Sequence, residues 1–504
     1  MEAVAYRPLT YLEANASRYP DAVAIWEDGE SINFVQLLRR VRVFMGLLLD
    51  EGINPGDVVA VTLPNIWAYV ALEIAIPAIG AIIMPLAPSL GFYELESALR
   101  RSNAKLLIIN YYSIDKVKAA YAKLDKPPQL MILDNLELNY DVDVPTYTAY
   151  PTMPHEIVQI ALTSGTTGLP KLAALSAELK QLTFEGFTNR LGIMPSDRIL
   201  PLSPITQGVG EMCLYGLRCA ASLVMTHEAR FLPEESLWLA ERSACTIIGA
   251  VPTMIHRMYY SKAFRDVDLS KIRITAIAGA PMPANLAQQW EERTGSHICI
   301  FYGAMDIGQL AVASPDDPAE KRWDTVGRPH DLAEVLICGE NGEPMASGYS
   351  GEICMRGPLV AQQYWGEESG PYSLDGWAHF GDLGYIDDDG YVHVTGRIKD
   401  IIIRGGSNIN PYEVEDIITR HPDVIEACVV GVPDADLGER TVAFVVIREG
   451  RECDLDSLRA FCDKAGLARY KWPDLLVKVS ALPMGGSGKV ARSELREKAI
   501  EMFS

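Results

Sequence analysis

Val58-Val59-Ala60-Val61-Thr62-Leu63, Trp67 to Ile79, Gly80 to Leu86, Gly91 to Arg101 and Leu106-Leu107-Ile108-Ile109 alternate short apolar runs with longer helix-like segments. That alternation predicts βαβ units on a largely parallel sheet. A second series runs between Ile199 and Ile300, with Ile247-Ile248-Gly249-Ala250 and Ile274-Thr275-Ala276-Ile277 as strands. From Val335 the texture changes to short strands joined by turns such as Glu340-Asn341-Gly342-Glu343 and Asp387-Asp388-Asp389-Gly390, which are hairpin signals. The second turn is acidic but lacks the spaced ligands of a calcium loop and reads as a solvated bend. After Arg397 a module of about a hundred residues begins. In it Pro411 to His421 and Leu455 to Ala465 are helical, while Ile425 to Val432 and Arg440 to Arg448 are strands. The expected class is α/β: a large N-terminal domain over residues 1–397 with βαβ-type sheets and a small barrel-like β subdomain, and a small α+β domain over 398–504.

Composition narrows the partners. The chain has 504 residues, 48% of them hydrophobic, which suits several packed cores. Its net charge of −21 and its lack of a Lys/Arg-rich run argue against nucleic acid, so an anionic ligand must be held by a local basic site. The nine cysteines include no Cys-x-x-Cys pair and read as core thiols of a reducing compartment, and the eight histidines show no ligand spacing. With no basic-then-apolar leader the expected location is cytoplasmic. Ile74 to Tyr93 has bilayer-like length but contains Pro77, Gly80, Pro85 and Pro88, and reads as a buried helix and strand rather than a membrane span.

Outward from the first series lies Leu162-Thr163-Ser164-Gly165-Thr166-Thr167-Gly168-Leu169-Pro170-Lys171, a loop delivered by the strand-like run Ile157 to Leu162. Two glycines, four hydroxyls and a lysine suit a polyphosphate, because glycine lets backbone N–H groups approach phosphate oxygens. A Walker loop is excluded: Pro170 precedes Lys171, and Leu172-Ala173-Ala174-Leu175 continues as a strand where a helix is required.

Five further segments follow in order. They are Ala278-Gly279-Ala280-Pro281-Met282-Pro283, Phe301-Tyr302-Gly303-Ala304-Met305-Asp306, Gly376 to Gly384, Gly396-Arg397-Ile398-Lys399-Asp400, and Ser487-Gly488-Lys489-Val490-Ala491-Arg492. Together with the glycine-rich loop they make the chain resemble, over nearly its whole length, the acyl-adenylate-forming superfamily of acyl-CoA synthetases, standalone adenylation enzymes and firefly luciferase.

The resemblance implies a mobile C-terminal domain and a set of roles. Thr163, Ser164, Gly165, Thr166, Thr167, Gly168 and Lys171 would hold the ATP phosphates, and Lys489 would bridge the acid and the α-phosphate. Asp382 would accept hydrogen bonds from both ribose hydroxyls, assisted by Arg397. Tyr302 and Gly303 would lie along the adenine, with Gly279, Ala280 and Pro281 on its other side. Asp306 stands where the family usually has a glutamate that ligates Mg²⁺, and a shorter carboxylate remains a hard oxygen ligand. Met305 and Phe380 replace usual threonines. Lys399 falls at the hinge position, and rotation there would bring Gly405 and Gly406 to the active site, leaving room for the pantetheine arm of CoA.

For the acid, the implied lining is Gln207, Met212, Phe301, Met305 and Ile307. Gln207 replaces a common histidine, as does Ala177, and a neutral amide cannot change charge near pH 7. The expected activity is an AMP-forming carboxylic acid:CoA ligase using ATP, Mg²⁺ and CoA on an aromatic, alicyclic or short/medium-chain acid. The alternative is a standalone acid–AMP ligase that loads a phosphopantetheinyl carrier protein.

Overall fold

The computed structural model describes residues 5–27, 29–136, 138–140, 145–163, 171–226, 231–339, 341–484 and 490–503. The chain divides into two compact units: Met1–Met282 with Leu286–Glu334 and Met355–Ala378, and Pro283–Asn285 with Val335–Cys354 and His379–Ser504.

The first unit holds two sheets. In the seven-stranded one the order is Gln363–Tyr364, Lys171–Ser176, Ile157–Thr163, Ile82–Pro85, Val58–Thr62, Leu106–Ile109 and Gln129–Ile132. Every residue of Val58–Thr62, Ile82–Pro85 and Leu106–Ile109 is buried, as parallel strands covered on both faces require. The connecting helix Trp67–Ala78 is buried nearly all round and leads to the Ile82–Pro85 strand, so the stretch from Ile74 to Ala87 is core, while Tyr93 at the end of the expected segment is 71% exposed. Among the described residues no helix is long and apolar enough to cross a membrane.

The nine-stranded sheet contains a parallel run in which Arg198–Pro201, Ile247–Ala250, Ile274–Ala278 and His297–Ala304 are successive neighbours. Asn65, buried after the Val58–Thr62 strand, ties the two sheets together. Its Nδ2 donates to the carbonyls of Pro201 and Ser203, and its Oδ1 accepts from the Ile205 N–H. The loop leading to Gln207 is thereby fixed from both sheets.

The second unit begins with a four-stranded sheet ordered Glu334–Cys338, Gly351–Arg356, Ala378–Ile386, Val392–Arg397. A barrel-like subdomain was expected here, and the sheet is open. Its first and last strands are edges, and four strands fall short of the number that closes a small barrel. In the acidic turn, Asp387 Oδ1 accepts from the N–H groups of Asp389 and Tyr391 at 3.0 and 2.9 Å, which makes it a bend. Glu340 lies outside the described residues.

The five-stranded sheet that follows is built on Val424–Asp434 paired with Gly438–Ile447. From Ala427 onward its residues alternate between two cores. Val429, Ala443 and Val445 join one core with Val414, Ile418 and Leu458, while Cys428, Val430, Val442 and Phe444 join another with Leu495 and Ala499. The period of two thus lays helices Pro411–Thr419 and Leu455–Lys464 on one face and Arg492–Phe503 on the other.

Candidate active site

In the first unit the strands on either side of the glycine-rich segment are antiparallel neighbours. Ile157–Thr163 pairs with Lys171–Ser176, and Thr163 lies directly opposite Lys171. Ser164, Gly165, Thr166, Thr167 and Gly168 lie outside the described residues. Gln363–Tyr364 adds to the hairpin with Tyr364 opposite Ala173, which places the Tyr364 ring near Lys171. Lys171 Nζ lies 4.4 Å from the ring centroid and 3.3 Å from the hydroxyl. That hydroxyl donates to Asp306 Oδ2 at 2.9 Å. Burial pushes the Tyr364 pKa up, and the Asp306 carboxylate adds to the effect, so the phenol stays protonated and acts as a donor. A cation, a fixed hydroxyl and a carboxylate therefore meet beside the mouth of the loop.

Asp306 is set there by backbone. Its carbonyl accepts from the Ala361 N–H at 2.9 Å, and the segment before it turns back as Ala304 pairs with Gly308. Gly308 has φ +88°, and a Cβ there would lie 1.9 Å from the Leu359 carbonyl oxygen, so only glycine permits this turn. The donor chemistry at Asp306 fits Mg²⁺, which takes one or two carboxylates and completes its shell with phosphate and water.

Gly279 follows the strand Ile274–Ala278, and Tyr302 lies near the end of its parallel neighbour His297–Ala304, just past the point where Ala278 pairs with Phe301. They sit at the carboxyl ends of the strands, where open α/β sheets bind ligands. Gly279 and Pro281 are exposed, Ala280 and Tyr302 are half-buried, and Gly303 is exposed beside Tyr302. Gln207, half-buried, caps the helix Gly208–Leu214 without a side-chain capping bond. Of the apolar candidates, Phe301 is core, edge-on to Phe187 at 5.7 Å. Met212 packs partly buried on that core and Ile307 is buried. Met305 packs on Ala161, Ala173, Leu175, Leu179 and Ala361, beneath the hairpin.

In the second unit, Asp382 and Arg397 are cross-strand partners. Arg397 Nε reaches Asp382 Oδ1 at 2.9 Å, and Asp382 is 5% exposed, so its orientation is fixed. Lys399 is exposed in a single 3₁₀ turn, Ile398–Asp400, after which Asp400 accepts from the Tyr412 hydroxyl at 3.1 Å. Gly405 and Gly406 form a two-residue turn at φ +57° and +81° between Ile402–Arg404 and Ser407–Ile409, the glycine-demanding hairpin type. Lys489 lies outside the described residues.

Residue reading missed Tyr364. Its partners lie 193 and 58 positions away, and nothing local marks it out.

Residues 12–365 match the AMP-binding enzyme family, and residues 413–489 match the AMP-binding enzyme C-terminal domain. The chain belongs to that family and is an AMP-forming acid–thiol ligase of the acyl-CoA synthetase type. A feruloyl-CoA synthase of Amycolatopsis sp is 33% identical over 95% of this chain and 96% of its own. The medium-chain fatty-acid–CoA ligase of Escherichia coli (strain K12) is 30% identical over 98% and 90%. Among solved structures, the anthranilate CoA ligase AuaEII in complex with anthranoyl-AMP superposes with a TM-score of 0.91 at 25% identity, covering 100% of this chain and 99% of that one.

Proposed function

We propose that this protein activates an aromatic, alicyclic or short-to-medium-chain carboxylic acid with ATP and passes the acyl group to CoA. The observation that carries the reading is the Lys171–Tyr364–Asp306 chain at the loop mouth. Adenylation brings a carboxylate onto the α-phosphorus as pyrophosphate leaves, so two anions must be held together. Lys171 supplies a cation for the phosphates, with Thr163 and the loop residues Ser164 to Gly168 as hydrogen-bond donors. Tyr364 fixes both Lys171 and Asp306. Mg²⁺, when bound, would be held by Asp306 and would neutralise phosphate charge.

Asp382 takes the ribose hydroxyls, oriented by Arg397. Tyr302 and Gly303 lie against the adenine with Gly279, Ala280 and Pro281. Lys489 bridges acid and α-phosphate. The domain boundary falls after Arg397, with Lys399 as pivot. In support, Lys399 is an exposed residue between one anchored by an ion pair to Asp382 and one bonded to Tyr412. After the pivot turns, Gly405 and Gly406 leave room for the pantetheine arm.

The acid class rests on the neutral Gln207 and the apolar side chains of Met212, Phe301, Met305 and Ile307. An acid with a second charge would meet no countercharge among these five. A pyrophosphate-release screen over aromatic, alicyclic, aliphatic and dicarboxylic acids tests this, and turnover is expected with the first three classes. Preference for a dicarboxylic acid would overturn the assignment. Transfer to a holo-carrier protein but not to CoA would replace the acceptor.

A further inference from the structure

Three neighbouring strands of the open four-stranded sheet bring together groups that are far apart in sequence: Cys338 on the first, Glu352 and Cys354 on the second, and His379 on the third. Glu352 and Cys354 are two apart on one strand and so share a face. The Cys338 and Cys354 sulfurs are 3.3 Å apart, Cys354 Sγ is 3.3 Å from His379 Nδ1, and that nitrogen is 2.8 Å from Glu352 Oε2. Single ligand atoms of Glu352, Cys354 and His379 all lie within 4.8 Å of one another. Both thiols are buried, while the His379 and Glu352 side chains retain 28% and 24% exposure, which leaves an approach from solvent.

We propose that Glu352, Cys354 and His379 form a site for a thiophilic divalent cation of the zinc class, separate from Asp306, with Cys338 as a thiol that contacts the Cys354 ligand. A thiolate, an imidazole and a carboxylate are zinc donors, and three protein ligands leave the fourth position to water. Around a tetrahedral zinc, bond lengths of ~2.0–2.3 Å put sulfur and nitrogen about 3.5 Å apart and nitrogen and oxygen about 3.3 Å apart. The observed separations are a few tenths of an ångström shorter, as for ligands bonded to one another before a cation parts them. At 3.3 Å the sulfurs are well beyond the ~2.0 Å of a disulfide. Binding releases the Cys354 thiol proton. Glu352 Oε1 accepts from the Gly381 N–H at 3.2 Å, so a cation on Oε2 would stiffen the strand next to Asp382. The ligands come from two strands, with Cys354 and His379 25 positions apart, and this is why the spacing of cysteines and histidines in the sequence shows no site.

The test is cobalt titration of the reduced, chelator-stripped full-length protein. Expected is one Co²⁺ per chain with a sulfur-to-cobalt charge-transfer band that Zn²⁺ abolishes. Cys354→Ser should remove the band, His379→Gln should weaken Zn²⁺ binding about tenfold or more, and Asp306→Asn should leave both unchanged. Competition of the unaltered protein against a chromophoric chelator reads Zn²⁺ affinity without any substitution. The proposal is overturned if no band forms, if the band survives Cys354→Ser, or if air simply joins Cys338 to Cys354 with loss of two hydrogens and no metal is retained by the reduced form. These readouts do not depend on the ligase reading.

Discussion

Tyr364 joins a cation and a carboxylate at the base of the glycine-rich hairpin, because its ring holds the Lys171 ammonium and its hydroxyl holds Asp306. Tyr364→Phe keeps the ring contact and removes the hydroxyl. A hydrogen bond to a charged group contributes roughly 1.5–3 kcal/mol, so kcat/KM for ATP should fall on the order of tenfold or more, with little change in Tm. Pyrophosphate exchange and thermal melting check this, and an unchanged kcat/KM would remove Tyr364 from the site. Lys171, Asp306, Asp382 and Arg397 were legible in the sequence because each sits in a motif of fixed spacing. Tyr364 was not, because strand pairing across 193 positions creates its role. Met305, expected along the acid, is partly buried against the hairpin strands.

Two helices of the first unit are joined by a buried charge. Lys180 on Ala177–Leu191 and Glu211 on Gly208–Leu214 are both about 2% exposed, and Lys180 Nζ meets Glu211 Oε1 at 2.5 Å, with Glu73 at 3.7 Å. Burial disfavours the ammonium, but Glu211 together with Tyr215, Tyr6 and Glu73 outweighs it, and the Lys180 pKa is raised well above the usual range. Lys180→Met would strand two buried carboxylates and should cost about 3–5 kcal/mol, read as a large drop in denaturant midpoint. A loss below about 1 kcal/mol would mean that the pair is not a clamp. Strand and helix positions were legible element by element. The run Val58 to Leu63 became Val58–Thr62, and Trp67 to Ile79 became Trp67–Ala78. The barrel was not borne out, because closure depends on which edge strands pair, a non-local property that hairpin turns do not encode.

At the scale of the molecule, a charge of −21 means that anionic substrates are held by local cations against an unfavourable overall field. Acid sensitivity should come from specific carboxylates. Burial opposes ionisation of Asp474, but the paired bonds from Arg404 at 3.0 and 2.9 Å and those from Thr441 hold its pKa below the usual value. A folded pKa below the unfolded one contributes stability above pH ~4 that is lost as pH falls through the folded value. Asp474→Asn should therefore lower Tm at pH 7, at a cost of about 1–3 kcal/mol, and flatten its decline below pH ~4. An undiminished acid slope in Tm would exclude this pair.

The central claim is tested most directly by quantifying every product after incubating the protein with ATP, Mg²⁺, an accepted acid and saturating CoA. The account predicts AMP, pyrophosphate and acyl-CoA in equal amounts. ADP and phosphate in place of AMP and pyrophosphate, or acyl-adenylate accumulating without thioester, would contradict it.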